Sequence, residues 1–576
     1  MNETLANELT TSLSADVRGF MPELVLCFAI VFMLLIRLMP RYDRVHMGWI
    51  ALVLAGLALT VSCLQWRGFH WADFPVPGVG AYAAMFDPRQ EDTPISISLF
   101  GGMLVYDNFS VFIKMFLYAF ITLVVVLTLM SKVPDKEDSA DFYVLLFGST
   151  IGMAIMASSN HLLMVFIGIE MASLPSYALA GFLKGRRQSS EAALKYVVYG
   201  GGASGVMLYG ISLVVGHVDI GSGYLPNIVQ AIAEKNLLGS PLMVLGTTFI
   251  LAGIGFKLAA FPFHFWCPDV FEGAAAEVGA FLSVASKGAA LALLARIVLG
   301  IGGLGSNLDT PAANQQAAYD SWSRAVDYLV PFLSIFAIVT TTFGNFAAYS
   351  QTNLKRLLAY STIAHAGFMI MGLATMTRDG AGAVLFYLVT YLFMNLGAFA
   401  VVAFMRNLTG QEDLSYFRGF VYRAPILVIT LGVFLMSLLG MPPFAGFMAK
   451  FQIFAVLFDS AHMYEREGKT FLSWNMYGLV VAGGLNTVIS LFYYVRVLKV
   501  MALERTLEEV ESRPIETKHV PIAQAVYLTA LALVILVLGI LWNPLSQASS
   551  NEEGVNNFRA APTAPPVAVK LKAGGP

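Results

Sequence analysis

Residues 249–266 read FILAGIGFKLAAFPFHFW. A run this apolar belongs in lipid, yet it carries Lys257, and Pro262 follows five residues later. A charged side chain at the centre of a membrane helix costs roughly 2.5–3.5 kcal/mol on insertion scales. Proline removes an amide donor and breaks the helical ladder. In lipid such a break survives only where protein or a watery cavity receives the freed backbone groups. The stretch therefore predicts a discontinuous membrane helix with a charge beside its break.

Three more charges sit in comparable surroundings: Glu170 in HLLMVFIGIEMASLPSYALAGF, Lys287 in AFLSVASKGAALALLA and Lys450 in LLGMPPFAGFMAKFQIF. A chain that needed only an anchor would carry leucine at these places. Ionisable groups at membrane depth mark a path for an ion or a proton.

Composition agrees with the membrane reading. Of 576 residues 57% are apolar and 12% charged, and the mean hydropathy is +0.69. A soluble domain is nearer 25% charged. The net charge of −2 leaves no electrostatic footprint for nucleic acid. Cys27, Cys63 and Cys267 form no CxxC pair and no metal-ligand spacing. The acidic, polar start MNETLANELTTSLSADVRGF does not read as a cleaved signal peptide.

Apolar runs able to cross about 30 Å give an all-α polytopic membrane protein of about fourteen spans. They are 21–39, 47–65, 107–130, 141–158, 161–182, 193–216, 241–262, 276–302, 326–347, 356–375, 382–405, 425–456, 475–498 and 521–542. Span 12 is too long for one straight crossing and is interrupted by GMPPFAG at 440–446. Interrupted spans 7 and 12 stand five apart, each with a lysine near its break. That spacing points to an inverted repeat of spans 4–8 against spans 9–13. The domain reading follows: 1–140 with an outer-face excursion over 66–106, a first repeat over 141–302 and a second over 326–505. A charged loop and last helix occupy 506–542, and a disordered Pro/Ala-rich tail 543–576.

Odd loops with their flanks hold 18 of the 35 Lys and Arg residues, against 11 in even loops and termini. By the positive-inside rule odd loops face the cytoplasm and both termini the outer side. A GxGxxG string at 300–305 follows an apolar helix rather than a strand, so it is not a dinucleotide site. No haem or iron–sulfur ligand pattern is present.

Seven segments together resemble a known family. GIEMASLPSYALAGF, EAALKYVVYGGGASGVMLYG, GFKLAAFPFHFWCPDVFEGA, FLSVASK, LKRLLAYSTIAHAGF, MPPFAGFMAKF and SLFYYVRVLKVM are similar to the successive signatures of subunit N of bacterial NADH:quinone oxidoreductase, respiratory complex I. The resemblance covers roughly residues 100–505. Mrp-type cation/proton antiporter subunits and two other large complex I subunits share the fold. Lys450 in AGFMAKF resembles subunit N more than subunit M, where a glutamate is usual. AAAEVGAFLS at 274–283 departs from the Pro/Thr-rich stretch of the family, and Glu277 there affects the local loop geometry.

The resemblance implies a proton-translocating subunit of the bacterial inner membrane with no redox centre and no metal of its own. Flavin and iron–sulfur clusters would sit in partner subunits, and the complex would use quinone. Partners implied are other membrane-arm subunits, especially another antiporter-like subunit and the small helical subunits, together with lipid. The alternatives are a subunit of a cation/proton antiporter and a non-conducting scaffold.

A lysine in water holds its proton too tightly to relay it at pH 7; loosening it by about three units takes roughly 4–5 kcal/mol. Burial acts on that scale, and an adjacent carboxylate opposes it. A Glu170–Lys257 ion pair is therefore expected to act as a switch, loading Lys257 on approach and releasing the proton on separation. Lys287 would receive the proton, His365 would bridge it through water, and Lys450 would pass it to the outer side. Lys195 either takes part or snorkels to the headgroups, Lys114 contacts a neighbouring subunit or the headgroups, and Arg296 is expected to snorkel outward. His264, beside Pro262, and Tyr360, Tyr387, Tyr391 and Asn395 either serve the path or simply pack.

Overall fold

A long apolar segment in lipid has no water for its amides, so helix is the form that satisfies every backbone group internally. The computed structural model describes residues 13, 16–39, 46–66, 97–135, 138–218, 223–235, 237, 240–302, 312–506 and 517–550. Each of the fourteen stretches read as spans is helical, and among the described residues eleven helices are long and apolar enough to cross a membrane. The remaining three stretches hold Met21–Arg37, Leu354–Leu373 and the pair Pro425–Leu439 and Ala445–Arg466.

Helix ends run beyond the hydropathy boundaries. Spans 6, 9, 11 and 13 are Arg187–Val218, Ala312–Ala348, Arg378–Thr409 and Thr470–Ala502. A helix of 32 residues is about 48 Å long, more than the hydrocarbon core needs. Hydropathy finds the lipid-embedded part, whereas caps and breakers set the ends. Thr377 caps span 11 through Gly380 N, and Gly410 closes it in the left-handed region.

Both interruptions are present. Span 7 is Pro241–Leu258, a turn, then Trp266–Gly273; span 12 breaks between Leu439 and Ala445. Span 8 runs as Ala276–Phe281, a π-helical turn Leu282–Ser286, and Lys287–Gly302. Spans 4 and 5 pack together as do 9 and 10, and spans 6 and 7 as do 11 and 12. A loop motif recurs too. Leu162 N donates to Gly223 O at 2.8 Å and Leu225 N to Asn160 O at 2.9 Å. In the second half Leu354 N donates to Glu412 O at 3.1 Å and Leu414 N to Thr352 O at 2.9 Å. His161 and Asn353 cap the helices that follow. The two motifs occupy corresponding places, at the starts of spans 5 and 10.

Spans 8 and 11 bury 83% and 89% of their apolar windows inside the bundle, against 28% for spans 6 and 14. The former pair makes the axis; the latter face lipid or other chains.

One expectation is corrected and two details are added. Within the excursion, Ile97–Leu99 and Leu104–Tyr106 form an antiparallel hairpin joined to the bundle by a Leu104–Ser159 bridge, so the chain is not purely α. Residues 67–96 lie outside the described residues. The tail begins with a helix, Asn543–Ser550, rather than disorder, and 551–576 lie outside the described residues. Leu225–Lys235 is an additional helix in a polar loop; it is too short and too polar to register as a span.

Candidate functional site: a buried polar axis

Lys257 lies in the last turn of the first segment of span 7, which Ala259 ends in a left-handed conformation. Ending the helix there frees backbone groups, and side chains receive them. Trp266 Nε1 donates to Phe256 O at 3.0 Å and Phe261 N to Thr340 Oγ1 at 3.2 Å, while Lys355 Nζ serves the end of the second segment by donating to Ala274 O at 2.8 Å. The Lys257 ammonium, 1% exposed, donates to Ser173 Oγ at 2.9 Å. Glu170 accepts instead from Ser204. The expected Glu170–Lys257 contact is thus replaced by two serine contacts. Ser173 lies one turn beyond Glu170 on span 5, so it intercepts the ammonium at the carboxylate's edge. Ser204 carried no signal in sequence, since a serine in GGGASG reads as small-residue packing.

Lys287 follows the π-helical turn directly, a distortion frequent at functional sites. Its Nζ is 1% exposed and meets no hydrogen-bonding partner among the described residues. Ser286 Oγ and Asn395 Oδ1 nearby are likewise buried without protein partners, while the Asn395 amide donates to Ser283. Buried polar atoms are ordinarily paired with protein or water, so this is where the axis has capacity for a guest.

His365 is buried on span 10, with Nδ1 2.8 Å from Tyr387 OH and Nε2 3.2 Å from Tyr494 OH. Tyr494 OH also lies 2.5 Å from Ser361 Oγ. His365 is within electrostatic range of both Lys287 and Lys450. Lys450, one turn after the break in span 12, donates to Leu439 O at 2.8 Å and lies 4.7 Å from the Phe368 ring centre. Leu439 is the last residue before Gly440 turns the chain at φ 89°, so Lys450 satisfies a carbonyl that the break set free.

Other charges fall off this axis. Lys195 is part-exposed and pairs with Asp269 at 2.7 Å and Glu191 at 2.9 Å. Arg356 joins the same Asp269 and Glu272, both at 2.7 Å. His264 is buried among the rings of Phe261, Phe265 and Phe343. Arg296 does not snorkel: its guanidinium forks onto Asp107 at 2.9 and 3.1 Å and is buried. Lys114 does not reach headgroups; it pairs with Glu23 at 2.7 Å, both fully buried. Glu277 is buried and accepts from Arg406 at 3.2 Å, which fits the departing segment into the bundle.

Residues 159–307 and 322–465 match the family described as NADH:quinone oxidoreductase/Mrp antiporter, TM. NADH-quinone oxidoreductase subunit N of Anaeromyxobacter sp. is 39% identical over 78% of this chain and 85% of its own length. NADH-quinone oxidoreductase subunit N 2 of Sorangium cellulosum is 37% identical over 92% of this chain and 96% of its own. A chain of respiratory complex I from Thermus thermophilus with bound aureothin superposes with a TM-score of 0.66 at 27% identity, over 92% of this chain and 100% of that one.

Proposed function

The chain belongs to the family of NADH-quinone oxidoreductase subunit N, and we propose that Glu170, Lys257, Lys287, His365 and Lys450 form its proton relay. It is a multi-pass membrane subunit of a multi-subunit complex, and it translocates protons while quinone is reduced elsewhere. The observation that carries the relay is Lys287: a lysine buried inside the bundle with no hydrogen-bonding partner among the described residues has no structural reason to be charged. His365 lies within its electrostatic range.

The mechanism begins with a small exchange of partners. With Glu170 on Ser204 and Lys257 on Ser173, the lysine shares its proton only with a hydroxyl, the arrangement suited to release. Rotation of Glu170 past Ser173 would bring a carboxylate to the ammonium and favour its charged form. The released proton passes to Lys287 and, through His365 held by Tyr387 and Tyr494, to Lys450. Lys195 acts outside this path, as one partner of the Asp269–Arg356 network at the odd-loop end. His264 packs against the break. The odd loops face the cytoplasm of the bacterial inner membrane and both termini the outer side. Flavin and iron–sulfur clusters belong to other subunits; the immediate partners are another antiporter-like subunit and small helical subunits.

Purification from the native membrane tests the assembly. Flavin- and iron–sulfur-bearing proteins are expected to co-purify. A set of purely membrane antiporter subunits would overturn the assignment in favour of a cation/proton antiporter.

A further inference from the structure

Each break in the bundle is covered by the helix that follows its repeat. Span 9 follows the first repeat, and Thr340 and Phe343 on it lie over the turn at 259–265. Thr340 Oγ1 accepts from Phe261 N at 3.2 Å, and the Phe343 ring lies 4.3 Å from that of His264. Span 14, Ile522–Ile540, follows the second repeat and packs on both segments of span 12. Its contact with the break is main chain against main chain. A Cβ on Gly539 would fall onto the carbonyl oxygen of Pro443, and would lie 2.7 Å from Phe444 C and 2.8 Å from Ala445 N.

These atoms belong to the turn that presents Leu439 O to Lys450. The segment 440–444 connects the Leu439 carbonyl to the helix carrying Lys450, which restarts at Ala445. Pressing outward on Pro443 moves one end of this short connection against the other. At its opposite end span 14 is anchored to span 3, where Gln524 donates to Met130 O at 3.2 Å and Tyr527 to Leu123 O at 3.0 Å. The helix therefore has little freedom to back away from a larger residue.

We propose that span 14 is the cover of the second break, and that Gly539 is a positioning residue for Lys450. This rests on the reading of Lys450 as a proton carrier. Gly539→Ala must displace the Pro443 carbonyl, and misplacements of about 1 Å can cost up to a hundredfold in rate. The test uses the whole complex in proteoliposomes, following proton pumping, the pH profile of pumping and the amount of this chain in the purified complex. Gly539→Ala is expected to assemble, to lower pumping about tenfold and to shift the pH profile. Gly484→Ala, whose added Cβ would meet nothing within 4 Å, is expected to leave both unchanged. Ile535→Ala loosens the same buried face without a clash and is expected to give a smaller loss with a shift of the same sign. It carries the test if Gly539→Ala fails to assemble.

The proposal is overturned if Gly539→Ala assembles and pumps at the native rate. It is also overturned if either variant loses pumping only in proportion to assembly, with an unaltered pH profile. Native pumping by Lys450→Ala would instead remove the underlying reading of Lys450.

Discussion

The two interrupted helices hold their lysines in different ways. Lys257 precedes its break and donates to a side chain on another helix, Ser173 Oγ. Lys450 follows its break and donates to a main-chain carbonyl of the same span, Leu439 O, beside the ring of Phe368. A hydroxyl can turn away, and Glu170 stands one helical turn from it. A carbonyl at a helix end cannot turn without the backbone. The first site is thus built to change partners, and the second to stay where span 14 and the break put it. A switch and a fixed relay station are different devices made from one repeated plan.

Lys450→Ala removes the proton-carrying lysine of the second break, and should abolish this subunit's share of pumping in proteoliposomes. Full retention of protons pumped per NADH would show that the second break is structural alone. Ser173→Ala should have a smaller effect. A hydrogen bond to a charged group is worth about 1.5–3 kcal/mol, which is roughly a ten- to hundredfold change in Lys257 occupancy, read as a shifted pH profile of pumping. An unchanged profile would mean that Lys257 does not depend on the serine, and the contrast between the sites would collapse. Asp107→Asn should affect pumping per assembled complex least. Its buried fork with Arg296 is a paired charge, and breaking such a pair costs about 3–5 kcal/mol. Lower thermal stability with unchanged stoichiometry is expected; altered stoichiometry would place Asp107 on the path.

The spans and both interruptions were legible because apolar runs and the prolines inside them are local signals, and Glu170, Lys257, Lys287 and Lys450 stand out as charges inside such runs. Partner choice was not legible. Whether Lys257 meets Glu170 or Ser173 depends on which side chain of span 5 faces it, and both lie within one turn. Arg296 and Lys114 look like snorkelling residues because their carboxylates, Asp107 and Glu23, sit at the edges of other helices far away in sequence. Folding brings them together inside the bundle. Helix ends escaped for another reason. Arg187 and Thr409 continue helices in water or headgroups, where hydropathy carries no information. The cover on the second break rests on Gly539, a glycine in an apolar helix whose role appears only when the carbonyl opposite it is seen.

The central claim is that Lys257 gives up and regains a proton, and Lys257→Arg in the intact complex tests it most directly. The substitution keeps the positive charge and hydrogen-bond donors beside Ser173, but a guanidinium does not deprotonate at any accessible pH. Proton pumping measured in proteoliposomes should fall sharply, with quinone reduction following to the extent that the two are coupled. Pumping at the native rate would make Lys257 a fixed charge and would contradict the relay described here.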